Sequence, residues 1–327
     1  MRAGQSMPER TLRIAAVQMQ AEMGDVAANL LKAERLVHEA FGRGAEWVIL
    51  PEFFTSAMAF HPKMLDAARL VHGEPLQFLV AAAKEYGGVV GGSFIAARGD
   101  NVYNTFALAF PDGSVFFHDK DQPTMWENCY YVGGQDDGVL TTPAGPVGSA
   151  LCWEMIRSRT ARRLLGRVKL VVGGSCWWDL PDDAPPHREP LRARNLALLI
   201  EAPRRLARML GVPVVHASHC GAFEGLALKE EATPYRSRYL GEAQIVDGHG
   251  RVLARTSRTD GEGIIVAEVA PGQVDEVLAP IPDRFWIPEL WETLLRAWER
   301  ENKLGQEYYQ GTARAHYQKT LSAQFSS

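Results

Sequence analysis

The sequence predicts an α/β fold, and three observations carry the prediction. Short apolar runs of strand length alternate with longer segments whose apolar residues recur at helical spacing; glycine, proline and aspartate punctuate the joins; and chemically capable side chains fall just past the ends of the short runs. Open α/β sheets assemble their sites at such strand ends.

Taken in order, Leu12 to Gln18 reads as a mostly buried strand after a flexible leader over residues 1–10. Gly24-Asp25 then caps a helix to about Gly42, striped by Leu30, Ala33, Val37, Ala40 and Phe41. The strand Trp47 to Leu50 must stop at Pro51-Glu52, because proline has no amide for the ladder and a carboxylate seldom enters a core unpaired. A helix over Pro75 to Tyr86, closed by Gly87-Gly88, feeds a strand from Val89 to Ile95. Strands at Val102–Phe110 and Val115–His118 flank the turn Pro111-Asp112-Gly113 and leave Lys120 just beyond a strand end. Val147 to Leu151 delivers Cys152 in the same way.

The second half repeats the alternation: a helix from about Arg159 to Leu165, a strand from Val168 to Val172, a long helix from Leu191 that Pro203 should interrupt, and a strand from Val212 to Ala217. A hairpin, Glu242–Asp247 with Arg251–Ala254, precedes a last strand at Ile264–Val269. From Pro280 the composition turns to Trp, Tyr, Arg and Glu, which predicts a helical tail over 280–327, laid against another surface, behind one domain over 11–279.

Composition narrows the function. With 327 residues, 46% of them hydrophobic, 23% charged and a formal net charge of -4, the chain can bury a core but presents no basic footprint for nucleic acid or anionic lipid, so the expected partner is a small molecule. The four cysteines show neither a CxxC pair nor zinc spacing, which argues against a structural metal and against disulfides. No signal-peptide run and no stretch of about 18 apolar residues appears, so a cytoplasmic location is expected. The paired glycines at 91–92, 133–134 and 173–174 lack the spacing of a phosphate-cradling loop, and no cofactor is expected.

A thiol with a pKa of about 8.5 needs a base or a cation nearby to act at neutral pH. None of the nine histidines sits in a recognisable Cys-His motif. Glu52, emerging from a buried strand, is the better base, because partial desolvation raises its pKa toward the thiol's. Cys129 is a weaker rival nucleophile, Cys176 and Cys220 read as buried packing residues, and His216 and His219 as satisfied structural histidines.

Three blocks, Pro51-Glu52-Phe53-Phe54, His118-Asp119-Lys120 through Glu127, and Leu151-Cys152-Trp153-Glu154, resemble in order and context the signatures of the nitrilase superfamily. The likeness covers roughly residues 11 to 270. It implies a four-layer αββα sandwich and a Glu52-Lys120-Cys152 triad, with Glu127 orienting the lysine and substrate, and the Trp153 amide as an oxyanion donor. It further implies a covalent thioester, or a thioimidate from a nitrile, no metal, and a homodimer or higher homo-oligomer built through helices and the C-terminal segment.

Cys-Trp-Glu resembles the nitrilase branch, whereas Pro51 to Thr55 resembles amidases equally. A nitrile substrate is therefore expected first, with an amidase or N-carbamoyl amide hydrolase of the same triad as the alternative. A non-catalytic scaffold binding a small molecule or protein is the alternative from another class, and a thiol redox protein is disfavoured by the lack of a resolving cysteine. Phe54, Trp153, Trp177 and Arg157 are the expected substrate-side residues. Arg157 either recognises a substrate carboxylate or, preferably, joins Arg159, Arg162 and Arg163 on a solvated helix face; Trp177 and Trp178 serve as pocket wall or as core.

Overall fold

The computed structural model describes residues 11–228, 230–276 and 278–325; the expected leader over 1–10 lies outside the described residues. The elements in chain order are β1 (Leu12–Met19), α1 (Val26–Gly42), β2 (Trp47–Ile49), β3 (Arg69–Leu70), α2 (Glu74–Tyr86), β4 (Val89–Arg98), β5 (Asn101–Ala109), β6 (Val115–Asp119), β7 (Val139–Thr142), β8 (Gly145–Ser149), α3 (Ser158–Leu164), β9 (Leu170–Ser175), α4 (Glu189–Leu210), β10 (Val214–Ala227), β11 (Glu230–Leu240), β12 (Gln244–Val246), β13 (Val252–Arg255), β14 (Gly263–Val269), α5 (Glu292–Tyr308) and α6 (Arg314–Phe325).

The hydrogen-bonded strands run β6-β5-β4-β2-β1-β10-β9-β8-β7, with β14 on β1 and β12-β13 on β10. β1 meets β10 only near its end, through Gln18↔Ser218 and Met19↔His219, while β2 and β14 take its two sides. The ladder folds over at that junction, and side-chain alternation shows the result. Ile14 and Ala16 of β1 pack in one cluster with Val172 and Val215 of the other half, whereas Ala15 and Val17 face α1 and α2 through Leu36, Val37 and Leu79. On the far side Val171 and Val214 face α3 and α4 through Leu164, Leu206 and Leu210. The molecule is therefore a four-layer αββα sandwich, as the resemblance to the nitrilase superfamily implies.

Asp25 caps α1 by accepting from the Ala28 amide at 3.0 Å, and Gly87, at a φ of 64°, closes α2. Pro203 is a correction. It interrupts nothing: α4 runs unbroken through it for 22 residues. A mid-helix proline costs about 3 kcal/mol, and a helix that buries Leu199, Leu206 and Leu210 against a sheet offsets that. The strand expected to end at Ala217 continues to Ala227 and pairs with β11 in a long hairpin.

The tail docks on its own chain. Asn302 Oδ1 in α5 accepts from the Met125 amide at 2.7 Å and Asn128 Nδ2 at 2.9 Å, and a Cβ added at Gly305 would stand 2.7 Å from that of Asn128. Trp286 meets Trp153 edge-on at 5.4 Å, and Tyr309 is 2% exposed. No helix among the described residues is long and apolar enough to cross a membrane.

Candidate active site

Three strand ends converge. Glu52 leaves β2 where Leu50 still donates to Gly91, and a Cβ on Gly174 at the end of β9 would lie 2.9 Å from the Glu52 nitrogen, so glycine there lets the two backbones approach. Lys120 follows β6, its amide bonded to the Asn104 carbonyl at 2.9 Å. Cys152 follows β8 and opens a 3-10 turn over Cys152–Ile156. Phe53, Met125 and Cys152, each on a loop that carries one of the expected residues, adopt positive φ of 54°, 53° and 51°. For side chains other than glycine that conformation costs on the order of 1–3 kcal/mol each, and the packing around them sustains it.

Lys120 Nζ donates to Glu52 Oε1 at 2.8 Å and to Glu127 Oε2 at 2.7 Å, and all three side chains are fully buried. Asn104 Nδ2 and the Cys176 amide, each at 2.9 Å, hold the two oxygens of Glu52. Glu127 Oε2 also accepts from the Thr124 amide and the Tyr131 hydroxyl, while Oε1 is buried without a hydrogen-bond partner among the described residues. Carboxylate oxygens of Glu52 and Glu127 and the Cys152 sulfur lie within 4.8 Å of one another. These three are the donor set a cation would use, but the Lys120 ammonium already stands between the carboxylates.

The electrostatics follow from burial. Desolvation pushes Glu52 up to about 7, with Lys120 opposing it and Glu127 reinforcing it. Lys120 is raised: burial works against the ammonium, but Glu127, Glu52 and Cys152 together outweigh it. Burial pushes the Cys152 thiol well up, with Glu52 adding to the shift and Lys120 opposing it, so the thiolate is not preformed. A carboxylate poised near neutrality beside a protonated thiol can take the thiol's proton as the sulfur attacks. The Ser175 hydroxyl, bonded to His216 Nε2 at 2.8 Å, also reaches the thiol, and sequence reading had assigned Ser175 nothing. Desolvation lowers His216 and His219 to about 4, which keeps both neutral.

Around the nucleophile's turn runs a buried charge network. Glu154 accepts from the Leu151 amide at 2.8 Å, the Asp121 amide at 3.0 Å, Arg163 at 2.7 Å and His118 at 3.0 Å, tying the chain before Cys152 to the chain after Lys120. Within the turn the first bonded amide is that of Glu154, to Leu151. The Cys152 and Trp153 amides therefore precede the turn's own hydrogen bonds, as an oxyanion donor must.

A cavity of about 170 Å³ opens on Cys152. Trp153 and Trp177 line it, and Trp177 is also core, 3% exposed with its Nε1 bonded to Asn195. Two expected residues are corrected. Phe54 packs between Phe78 and Phe94 under α2, because Phe53, one residue earlier, takes the site side against Tyr131. Arg157 neither faces the cavity nor lies on a solvated surface: 1% exposed, it pairs with Asp121 at 2.5 Å and donates to the Gln122 carbonyl at 3.1 Å. Arg163 is likewise drawn inward onto Asp121 and Glu154, whereas Arg159 and Arg162 are exposed. Sequence reading missed that Trp291, Leu294, Ala297 and Glu301 of the tail wall the cavity.

Comparison with known proteins identifies the family. Residues 13–278 match the carbon-nitrogen hydrolase family model. The chain is 25% identical to a nitrilase of Pyrococcus abyssi over 79% of this chain and 89% of that one, and 24% identical to a 2-oxoglutaramate amidase of Bacillus subtilis over 82% and 95%. Nitrilase 1 of Arabidopsis thaliana is 32% identical over 45% of this chain and 49% of its own, so the chain spans about half the length of that relative. Among solved structures, a carbon-nitrogen hydrolase from Helicobacter pylori superposes with a TM-score of 0.67 at 19% identity, covering 96% of this chain and 99% of that one, which speaks for the fold. The chain belongs to the carbon-nitrogen hydrolase family and is an enzyme of that class.

Proposed function

We propose that the enzyme converts a nitrile to a carboxylic acid and ammonia through a covalent intermediate on Cys152. The observation that carries this reading is the buried Glu52-Lys120-Glu127 cluster within reach of the Cys152 sulfur. Cys152 Sγ attacks the nitrile carbon as its proton passes to Glu52, which returns it to the nitrogen and leaves a thioimidate. Water, deprotonated by Glu52, adds to that carbon; Lys120 and the Trp153 amide stabilise the charge that develops; and ammonia departs from the tetrahedral centre to leave a thioester. A second water releases the acid and restores the thiol.

An amide is the second reading, supported by Glu127 Oε1. That buried, unpartnered acceptor suits the N–H of an amide, which an intact nitrile lacks. The B. subtilis relative named for an amide substrate points the same way. Ammonia release from nitriles, primary amides and N-carbamoyl amino acids, by wild type beside Cys152→Ala, separates the readings. Cys152-dependent release from nitriles supports the first, release from amides or carbamoyl compounds alone replaces it with the second, and silence from a folded protein overturns both.

A further inference from the structure

Beyond Cys152 the cavity is built from electron-rich rings and one poorly compensated acid. Trp126 stacks on Trp178 with ring centres 4.2 Å apart, and Tyr235 meets Trp126 edge-on at 5.1 Å. All three line the cavity, and the buried Trp126 indole N–H has no hydrogen-bond partner among the described residues. Such ring faces attract a cation.

Two carboxylates share the wall. Asp179 is 2% exposed and already neutralised, by Arg192 at 3.2 Å and Arg258 at 3.7 Å. Glu301 differs. It projects from the same face of α5 as Leu294 and Ala297, as their spacing of three and four residues requires, and its charge acts on Tyr235. Its carboxylate pairs with Arg300 at 3.2 Å, but that side chain is 62% exposed and so a weak, screened partner. Desolvation, the dominant influence on Glu301, raises its pKa against the pull of Arg300. Among the lining residues the one cation is Arg188, which is exposed at the rim.

We infer that Glu301 is a specificity-determining residue: with the faces of Trp126, Trp178 and Tyr235 it forms a subsite for a primary ammonium group on the substrate, remote from the bond that Cys152 attacks. The inference rests on the hydrolase reading and deepens it, since the substrate becomes an aminoalkyl nitrile or amide. An arriving ammonium supplies a charge partner inside the cavity, where the exposed Arg300 is only a weak, screened one, and the rings supply its apolar and cation-π surroundings.

Calorimetric titration of the whole chain with n-butylammonium, 1-butanol and butyrate tests the subsite without requiring turnover. Wild type should bind butylammonium about ten- to a hundredfold more tightly than butanol, the span expected of one charge-assisted contact. Glu301→Gln, nearly isosteric, should lose that preference with its melting temperature unchanged, and Glu301→Asp, which keeps the charge, should retain part of it. Equal binding of butylammonium and butanol, tightest binding of butyrate, or an undiminished preference in a folded Glu301→Gln protein would overturn the inference. The two readings fail separately: ammonium selectivity without turnover of any nitrile or amide sinks the hydrolase reading and keeps the subsite, while Cys152-dependent turnover without that selectivity does the reverse.

Discussion

Lys120 Nζ and Glu52 Oε1 stand 2.8 Å apart across 68 residues of chain, both fully buried. With Glu127 on the other side of the same ammonium, the cluster holds two carboxylates and one cation, so one carboxylate is undercompensated. Glu52 is that one, and its rise to about 7 makes it a base at neutral pH.

The first prediction concerns pH. Glu52 must be ionised to take the thiol proton, so kcat/KM should fall as pH drops through about 7. Glu127 helps raise Glu52, so Glu127→Gln should move that acid limb to lower pH even as kcat falls. For stability the sign is opposite: a carboxylate raised from 4.5 to about 7 contributes stability present below 4.5 and lost as pH rises through 7. A pH-rate profile with no limb between 6 and 8 would remove Glu52 from its role as base.

The second prediction concerns Cys152. Its thiol is raised by burial and depends on Glu52, so a less acidic serine hydroxyl in its place cannot be ionised by the same base. Cys152→Ser and Cys152→Ala should each lose at least about a thousandfold in kcat. Intact-mass measurement during turnover should find a single acyl adduct on wild type and none on Cys152→Ala.

Third, Lys120→Met should cost about a hundred- to a thousandfold in kcat by removing a donor to the developing charge. It should also destabilise the fold by about 3–5 kcal/mol, because two buried carboxylates lose their counter-ion. Raising the pH should deepen the loss of stability, since deprotonation then brings like charges together. Denaturant unfolding at pH 5.5 and 8 reads the difference.

Much of this was legible in the sequence, because local chemistry dictates it. The strand-end positions of Glu52, Lys120 and Cys152 follow from Pro51, from the Pro111-Asp112-Gly113 turn and from the apolar run before Cys152. Arg157 and Arg163 were misplaced because their burial depends on Asp121 and Glu154, partners that no helical spacing reveals. Phe54 missed by one residue: the positive φ at Phe53 reverses which side each ring takes, and a strand pattern carries no sign of it. Glu301 left a trace, an acid in the stripe Leu294, Ala297, Trp298, Gly305 where helical spacing calls for an apolar or small residue. The tail's aromatics suggested a partner surface, yet Trp286, Trp298 and Tyr309 find neighbours within the chain.

The fourth prediction is self-association. We propose a homodimer or larger assembly, and among the large apolar side chains still exposed, Leu31 at 69% and Phe285 at 45% are residues it would cover. Light scattering at micromolar concentration should give at least twice the chain mass, and a 36.2 kDa particle would overturn the proposal.

The last prediction separates positioning from recognition at Arg157. Its guanidinium pairs with Asp121 and reaches the Gln122 carbonyl and the Thr124 hydroxyl, so it fixes the start of the loop that runs from Lys120 to Glu127. Arg157→Met keeps most of the side chain's volume but leaves Asp121 with only Arg163 of its two arginine partners. Breaking one partner of a buried pair costs about 3–5 kcal/mol, so the midpoint of denaturant unfolding should drop clearly. Loosening the loop misplaces Lys120 and Glu127, so kcat should fall while KM changes little. A residue that recognised a substrate carboxylate would behave differently: its loss would raise KM for carboxylated substrates and spare neutral ones. Equal loss of kcat on both kinds, with a weakened fold, is the expected result, and a KM effect confined to acidic substrates would return Arg157 to the pocket.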